Sequence, residues 1–163
     1  LQSPISNPHS SIAISSSQIA RALRVKIDIV EQDPFEQGRR AVLNLGHTVA
    51  HALERLSGYG LRHGEAVAIG MVAAARISAK VGRAEPPLPG RIEAALAAWG
   101  LPVRCPPFGA GDIWEAMAHD KKRRGRYLRW VLPHAIGHVE VADAVPRQVV
   151  TSVLTGMGAR SEK

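Results

Sequence analysis

Arg40, Asn44, His47 and His51 follow one another at steps of four, three and four residues. On an α-helix that spacing lines up a single face. The segment around them, AVLNLGHTVAHAL over residues 41–53, is otherwise small and apolar, where a solvated face would carry Lys and Glu. His63 follows within LRHGEAVAIGM, residues 61–71, just ahead of another helical run. A lone histidine on a helix is ordinarily structural. Two imidazoles one turn apart, with a third on the next element, are the arrangement of a metal or anion site. The His47/His51 spacing matches the two histidines of HExxH. Thr48-Val49-Ala50 between them lacks the glutamate, so the metalloprotease reading fails for want of a general base. Two imidazoles also leave a zinc shell short, and a carboxylate would suit as third ligand. Arg40 and Asn44 beneath the histidines suggest an oxyanion or carboxylate ligand, because a guanidinium offers two parallel donors. On residue type alone Lys26 reads as a surface lysine, and Lys121 with Lys122 as a solvated charge run. Gly58, Gly60 and Gly64 make no phosphate loop, since no strand precedes them and no Lys-Ser/Thr follows.

The elements that must hold these groups are mostly helices. Ser15, Ser16 or Ser17 can cap a helix over residues 18–32, with Ile19, Leu23, Ile27 and Val30 at helical period and Asp33-Pro34 as its stop. The stripe itself predicts one continuous helix over residues 39–56, ended by Ser57-Gly58-Tyr59-Gly60. A third helix opens at His63-Gly64 and reaches about Val81, with Glu65 in its first turn where a carboxylate suits the helix dipole. Shorter helices are expected over 90–99 and from an Asp112 cap to about 119. The period then changes: YLRWVL (127–132) and GHVEV (137–141) predict a β-hairpin. Pro146 opens a last helix to about Thr155. The expected fold class is mainly α, a helical bundle with one short hairpin, in one domain spanning residues 1–163.

Composition agrees with that. Hydrophobic residues are 45% and charged residues 21%, as in globular chains. Aromatics are only 4%, so Ala and Val do much of the apolar packing, which favours close helices over a β-sandwich. The formal charge of +7 suits an anionic partner. The basic residues are scattered outside DKKRRGR (120–126), with no zinc-finger spacing and no aromatic-plus-basic RNA signature, so nucleic acid is not expected. Cys105 stands alone, which excludes a disulfide framework and points to a reducing cytoplasm. No apolar run reaches membrane-spanning length, and residues 1–17 lack the pattern of a signal peptide.

Three stretches carry a family resemblance. RAVLNLGHTVAHALE (40–54), GYGLRHGEAVAIGM (58–71), and Asp120-Lys121-Lys122 followed by WVLPHAIG (130–137) resemble 3-dehydroquinate synthases, in the same order and over residues 19–141. The resemblance is to the family's C-terminal, mainly helical domain. It implies conversion of 3-deoxy-arabino-heptulosonate 7-phosphate to 3-dehydroquinate and phosphate, in the shikimate pathway, with NAD and zinc (or cobalt) as cofactors. It implies His47 and His63 as metal ligands. Lys26, Arg40, Asn44 and His51 would contact substrate, with Arg40, Asn44 and His51 in the catalytic set and Glu36 as a supporting carboxylate. One lysine after Asp120 would also contact substrate, Lys121 in preference to Lys122. The family's third zinc ligand, a glutamate, and its N-terminal NAD-binding α/β domain belong upstream of Leu1. The expectation is therefore a C-terminal piece, inactive alone, whose partners are a phosphorylated small molecule, that N-terminal domain and a second copy in a homodimer. Two alternatives remain: another sugar-phosphate cyclase, such as a 2-deoxy-scyllo-inosose synthase, and a non-catalytic helical interaction module. Lys26, Arg40 and a lysine after Asp120 together favour a carboxylated substrate over the first.

Overall fold

The computed structural model describes residues 14–35, 38–122 and 129–161, with the backbone alone for 119–122. Helix α1 (Ser16–Gln32) starts where the serines predict: Ser15 Oγ accepts from the Gln18 amide, and Gln18 Oε1 accepts from the Ser15 amide. A 3-10 helix (Arg39–Asn44) leads into α2 (His47–Leu56). Then come α3 (His63–Lys80), α4 (Leu88–Ala98), α5 (Ala110–Lys122), the strands β1 (Trp130–Ala135) and β2 (His138–Ala142), and α6 (Arg147–Gly156). The fold is mainly helical with one antiparallel hairpin, as the sequence suggests.

Helix α3 is the axis of the core. Ala66, Ala68, Ile69, Val72, Ala73, Ala74, Ala75 and Ile77 are all buried, on every side of the helix. A helix apolar all round must be covered all round. Here α2, α4, α6 and β1 pack against it, and α5 packs on α2 and α6. Trp130, Leu132, Ile113, Leu154 and Met157 complete the interior.

Glycine brings α2 and α3 together. A Cβ on Gly70 would lie 2.1 Å from the Gly46 carbonyl oxygen, and one on Gly46 would lie 2.7 Å from the Met71 nitrogen. Only two bare backbones can approach so closely. Gly46 lies against Gly70 while Glu54 lies against His63, so the two helices run antiparallel.

Three sequence expectations need correction. The continuous helix over 39–56 is broken at Leu45-Gly46. Gly46 has φ of +83°, a left-handed conformation that ends the 3-10 helix and re-aims the chain before α2 begins. Arg40 and Asn44 therefore do not share a helix face with His47 and His51. Second, the apolar stripe of α1 is not core: Ile19, Leu23 and Ile27 are each about half exposed, because α1 packs chiefly on the 3-10 helix. Third, β1 runs through Pro133 to Ala135, and only Ile136-Gly137 turn. Residues 127 and 128, expected in that strand, lie outside the described residues.

Candidate metal and substrate site

The α2–α3 contact gathers three imidazoles. His47 is the first residue of α2, His51 stands one turn further on, and His63 is the first residue of α3. Ring centroids are 5.3 Å apart for His47 and His63, 5.6 Å for His47 and His51, and 6.4 Å for His51 and His63. Two imidazoles bound through nitrogen to one tetrahedral zinc have centroids about 5.3 Å apart. His47 with His63 meets that separation, and His51 with His63 is too wide for it.

The nitrogens separate the pair further. His47 Nδ1 faces the Leu45 carbonyl oxygen at 3.3 Å, and His63 Nδ1 faces Glu54 Oε1 at 2.9 Å. Both partners only accept, so each imidazole donates from Nδ1, which leaves Nε2 as the nitrogen that can face a ligand. A metal-binding histidine is characteristically held from behind in this way. Burial is the largest influence on His47 and lowers its pKa from 6.5; the Leu45 hydrogen bond opposes it, and His51 and His63 add to it. The shift favours the neutral imidazole that a metal needs. His63 keeps 59% of its side-chain surface open, so its free nitrogen is reachable, while Glu54 behind it is only 14% exposed. Among the described residues no group of three or more His, Cys, Asp or Glu side chains could hold a metal ion. The donors fit a zinc-class cation as a pair that needs a third.

Glu54 is the residue that sequence reasoning missed. Its signal was available: seven residues after His47, at the end of the same helix, a carboxylate is placed beside the start of α3. Asp33 was read only as a helix stop. Its Oδ2 accepts from the amides of Gly38 at 2.8 Å and Arg40 at 2.9 Å, folding the loop back onto the 3-10 helix. Arg40, half-buried, also donates from Nη1 to the Pro34 carbonyl at 3.0 Å, which fixes the guanidinium. Asn44 ends the 3-10 helix and is exposed, as is His51. Lys26 lies on the exposed surface of α1, whose packing is on the element carrying Arg40. Lys121 and Lys122 lie in the last turn of α5; their side chains, and Glu36 as a whole, are outside the described residues.

Comparison with known proteins bears on the family and the fold. The sequence profile of the 3-dehydroquinate synthase C-terminal family matches residues 4–123. The chain is 44% identical to the 3-dehydroquinate synthase of Synechocystis sp. over 138 residues, covering 83% of this chain and 38% of the relative. It is 46% identical to that of Rhizobium meliloti over 147 residues, covering 84% and 38%. The chain thus spans well under half the length of these curated relatives. Two solved structures share the fold. One is 2-epi-5-epi-valiolone synthase from Streptomyces hygroscopicus with NAD+ and Zn2+ bound, at TM-score 0.76 and 23% identity, covering 86% of this chain and 39% of that one. The other is 2-deoxy-scyllo-inosose synthase complexed with carbaglucose-6-phosphate, NAD+ and Co2+, at TM-score 0.76 and 21% identity, covering 86% and 40%.

Proposed function

The chain belongs to the 3-dehydroquinate synthase family, and we propose that it is the metal- and substrate-binding part of an enzyme that forms 3-dehydroquinate and phosphate from 3-deoxy-arabino-heptulosonate 7-phosphate. The observation that carries the reading is the His47–His63 pair, 5.3 Å between centroids, with both Nδ1 atoms engaged from behind. His47 and His63 would hold zinc through Nε2, with a third donor from outside the described residues. When bound, zinc supplies Lewis-acid polarisation of substrate hydroxyls, and NAD supplies a reversible hydride acceptor.

The chain's own residues position and neutralise. Arg40, locked by Pro34 and Asp33, presents its remaining N–H donors to a carboxylate or phosphate. Asn44, exposed at the end of the 3-10 helix, and His51, exposed beside the metal pair, offer hydrogen bonds to substrate oxygens. Lys26 and Lys121 add positive charge around an anionic substrate, in keeping with the net +7. Holding these groups in place before substrate arrives is what lowers the barrier. The same reading assigns an N-terminal NAD-binding domain, homodimer assembly, a cytoplasmic setting and a place in aromatic biosynthesis. No described helix is long and apolar enough to cross a membrane.

The curated relatives at 44–46% identity favour 3-dehydroquinate synthesis over the sugar-phosphate cyclases met at 21–23%. The test is a phosphate-release assay coupled to 3-dehydroquinate detection, on the longer enzyme that carries this chain. The 163-residue chain alone should melt cooperatively and release no phosphate. Turnover with a hexose 6-phosphate but not with the heptulosonate would replace the reading with a cyclase of another substrate. Turnover by the 163-residue chain alone would show that the catalytic groups have been misplaced.

A further inference from the structure

Helix α1 is built to be covered, and among the described residues little covers it. Arg21, Arg24, Asp28 and Glu31 form one charged stripe of mixed sign, as on a solvated face. Most of the remaining circumference is apolar: Ile19, Leu23, Val25, Ile27, Ile29 and Val30. None of these is buried. Ile19, Leu23, Val25 and Ile27 are 50–58% exposed, and Phe35 just beyond the helix is 82% exposed. Ile29 and Val30 are half-buried, and the 3-10 helix is the element on which α1 chiefly packs. A helix in a folded protein draws most of its stability from burial of its apolar face. A contiguous apolar surface left open marks an interaction site.

Lys26 selects the occupant. Its helical neighbours three and four residues away are Ala22, Leu23, Ile29 and Val30, so it stands inside the apolar face and not beside the charged stripe. A cation covered in such a place needs an anion opposite. Lys26 is also two residues from the middle of α1. Two copies pairing antiparallel through this face would set one Lys26 against the other in an apolar seam, with no anion for either. An unlike partner avoids that conflict. The curated relatives carry one: the match covers 38% of each, so well over half of each relative lies outside it, and the matching profile is that of the family's C-terminal part.

We propose that the apolar face of α1 is the docking surface for the N-terminal part of the longer enzyme, and that docking closes around Lys26 so that its ammonium group meets an anionic group of the substrate at the seam. The proposal rests on the function proposed above for its partner and for that anion. The partner's side of the seam is apolar and leaves an opening opposite Lys26. The 3-10 helix on which α1 packs carries Arg40, so a second cation stands on the adjoining element. Enclosure by apolar neighbours strengthens the attraction between Lys26 and an anion by keeping water from both.

The test compares amide hydrogen exchange over residues 16–32 in the 163-residue chain and in the longer enzyme. Exchange should be at least about tenfold slower in the longer enzyme. Leu23→Asp should lower the Tm of the longer enzyme and leave that of the 163-residue chain nearly unchanged, because Leu23 is half exposed in the chain alone. Lys26→Met completes the apolar face, so α1 should stay protected in the longer enzyme while kcat/KM with the heptulosonate falls. Equal exchange in the two proteins, or equal loss of Tm from Leu23→Asp, overturns the docking. Protection that disappears when the longer enzyme is diluted to monomer gives the face to a second copy and overturns it too. Release of α1 by Lys26→Met makes Lys26 a partner of the docked surface and overturns its part in binding substrate. Protected α1 in an enzyme that does not turn over the heptulosonate defeats the proposed function and leaves the docking standing; turnover with α1 unprotected defeats the docking alone.

Discussion

The two ends of α3 carry nearly the same chemical inventory arranged in opposite senses. At the N-terminal end, Glu54 takes the Nδ1 proton of His63 from behind, and the Leu45 carbonyl does the same for His47. At the C-terminal end, Glu140 stands in front of His134 and His138 and meets both through Nε2. A carboxylate behind an imidazole orients it and sharpens its free lone pair. A carboxylate in front takes up that direction itself, as a hydrogen-bond acceptor. The comparison shows why a list of His and Glu residues does not define a site: which nitrogen each carboxylate meets decides its role.

The strongest way to break the comparison is at the ligands. In the enzyme carrying this chain, His47→Ala should remove zinc and lower kcat/KM by about 1000-fold or more, equivalent to about 4 kcal/mol of transition-state stabilisation. His138→Ala should leave turnover within about twofold. Metal analysis beside the phosphate-release assay checks both. Full metal content with full activity in His47→Ala would remove the first cluster from the mechanism.

Next in size is the backbone contact that positions the first cluster alone. Gly70→Ala puts a methyl group 2.1 Å from the Gly46 carbonyl oxygen, so one helix must move. Overpacking of this kind costs up to about 3 kcal/mol, or about 6–12 °C in Tm for a domain of this size. Thermal melting reads the loss. Zinc affinity at His47–His63 should fall with it. An unchanged Tm would mean that the two helices can separate without cost.

These contrasts also show what the sequence could and could not reveal. The helices, their caps and the hairpin were legible because Ser15, Pro146 and the change of period near residue 130 act locally. The histidine cluster was legible for the same reason. The break at Gly46 was not: a four-three-four spacing looks the same whether the chain is one helix or two, and the left-handed turn there depends on a contact with Gly70 twenty-four residues on. Glu54 and Glu140 stayed silent because their roles are set by which nitrogen they meet across two elements. The half-exposed stripe of α1 misled in the other direction, since periodicity reports that a face can be buried, not that it is.

A smaller change tests the orienting carboxylate. Glu54→Gln keeps the size of the side chain and an oxygen acceptor, but loses the charge that strengthens the bond to His63 Nδ1. Removing such a supporting group costs about 10–100-fold in metal affinity, and Gln should fall near the lower bound while Glu54→Ala falls further. Calorimetric zinc binding by the enzyme measures it. A loss of more than about 100-fold in Glu54→Gln would make Glu54 a ligand rather than a support, and the contrast with Glu140 would collapse.

The smallest effect expected is on stability against pH, and it separates the clusters by the window in which each acts. With zinc removed by chelator, His47 has a folded pKa below 6.5, chiefly because burial disfavours its charged form. The unfolded chain therefore takes the proton first as pH falls. Stability that is present above about 6.5 is lost between that value and the lower folded one. Glu140 has a folded pKa below 4.5, chiefly from its hydrogen bond with His138. Its contribution is present above about 4.5 and is lost only as pH falls through the folded value. Glu140 is exposed to solvent, so its share is the weaker. Melting the chain from pH 8 to pH 3.5 should give a first decline in Tm beginning near pH 6.5 that His47→Gln reduces, and a second, shallower one below pH 4.5 that Glu140→Gln reduces. If His47→Gln leaves the first decline intact, burial of His47 is not what sets it, and the neutral imidazole ready for a metal must be explained without it.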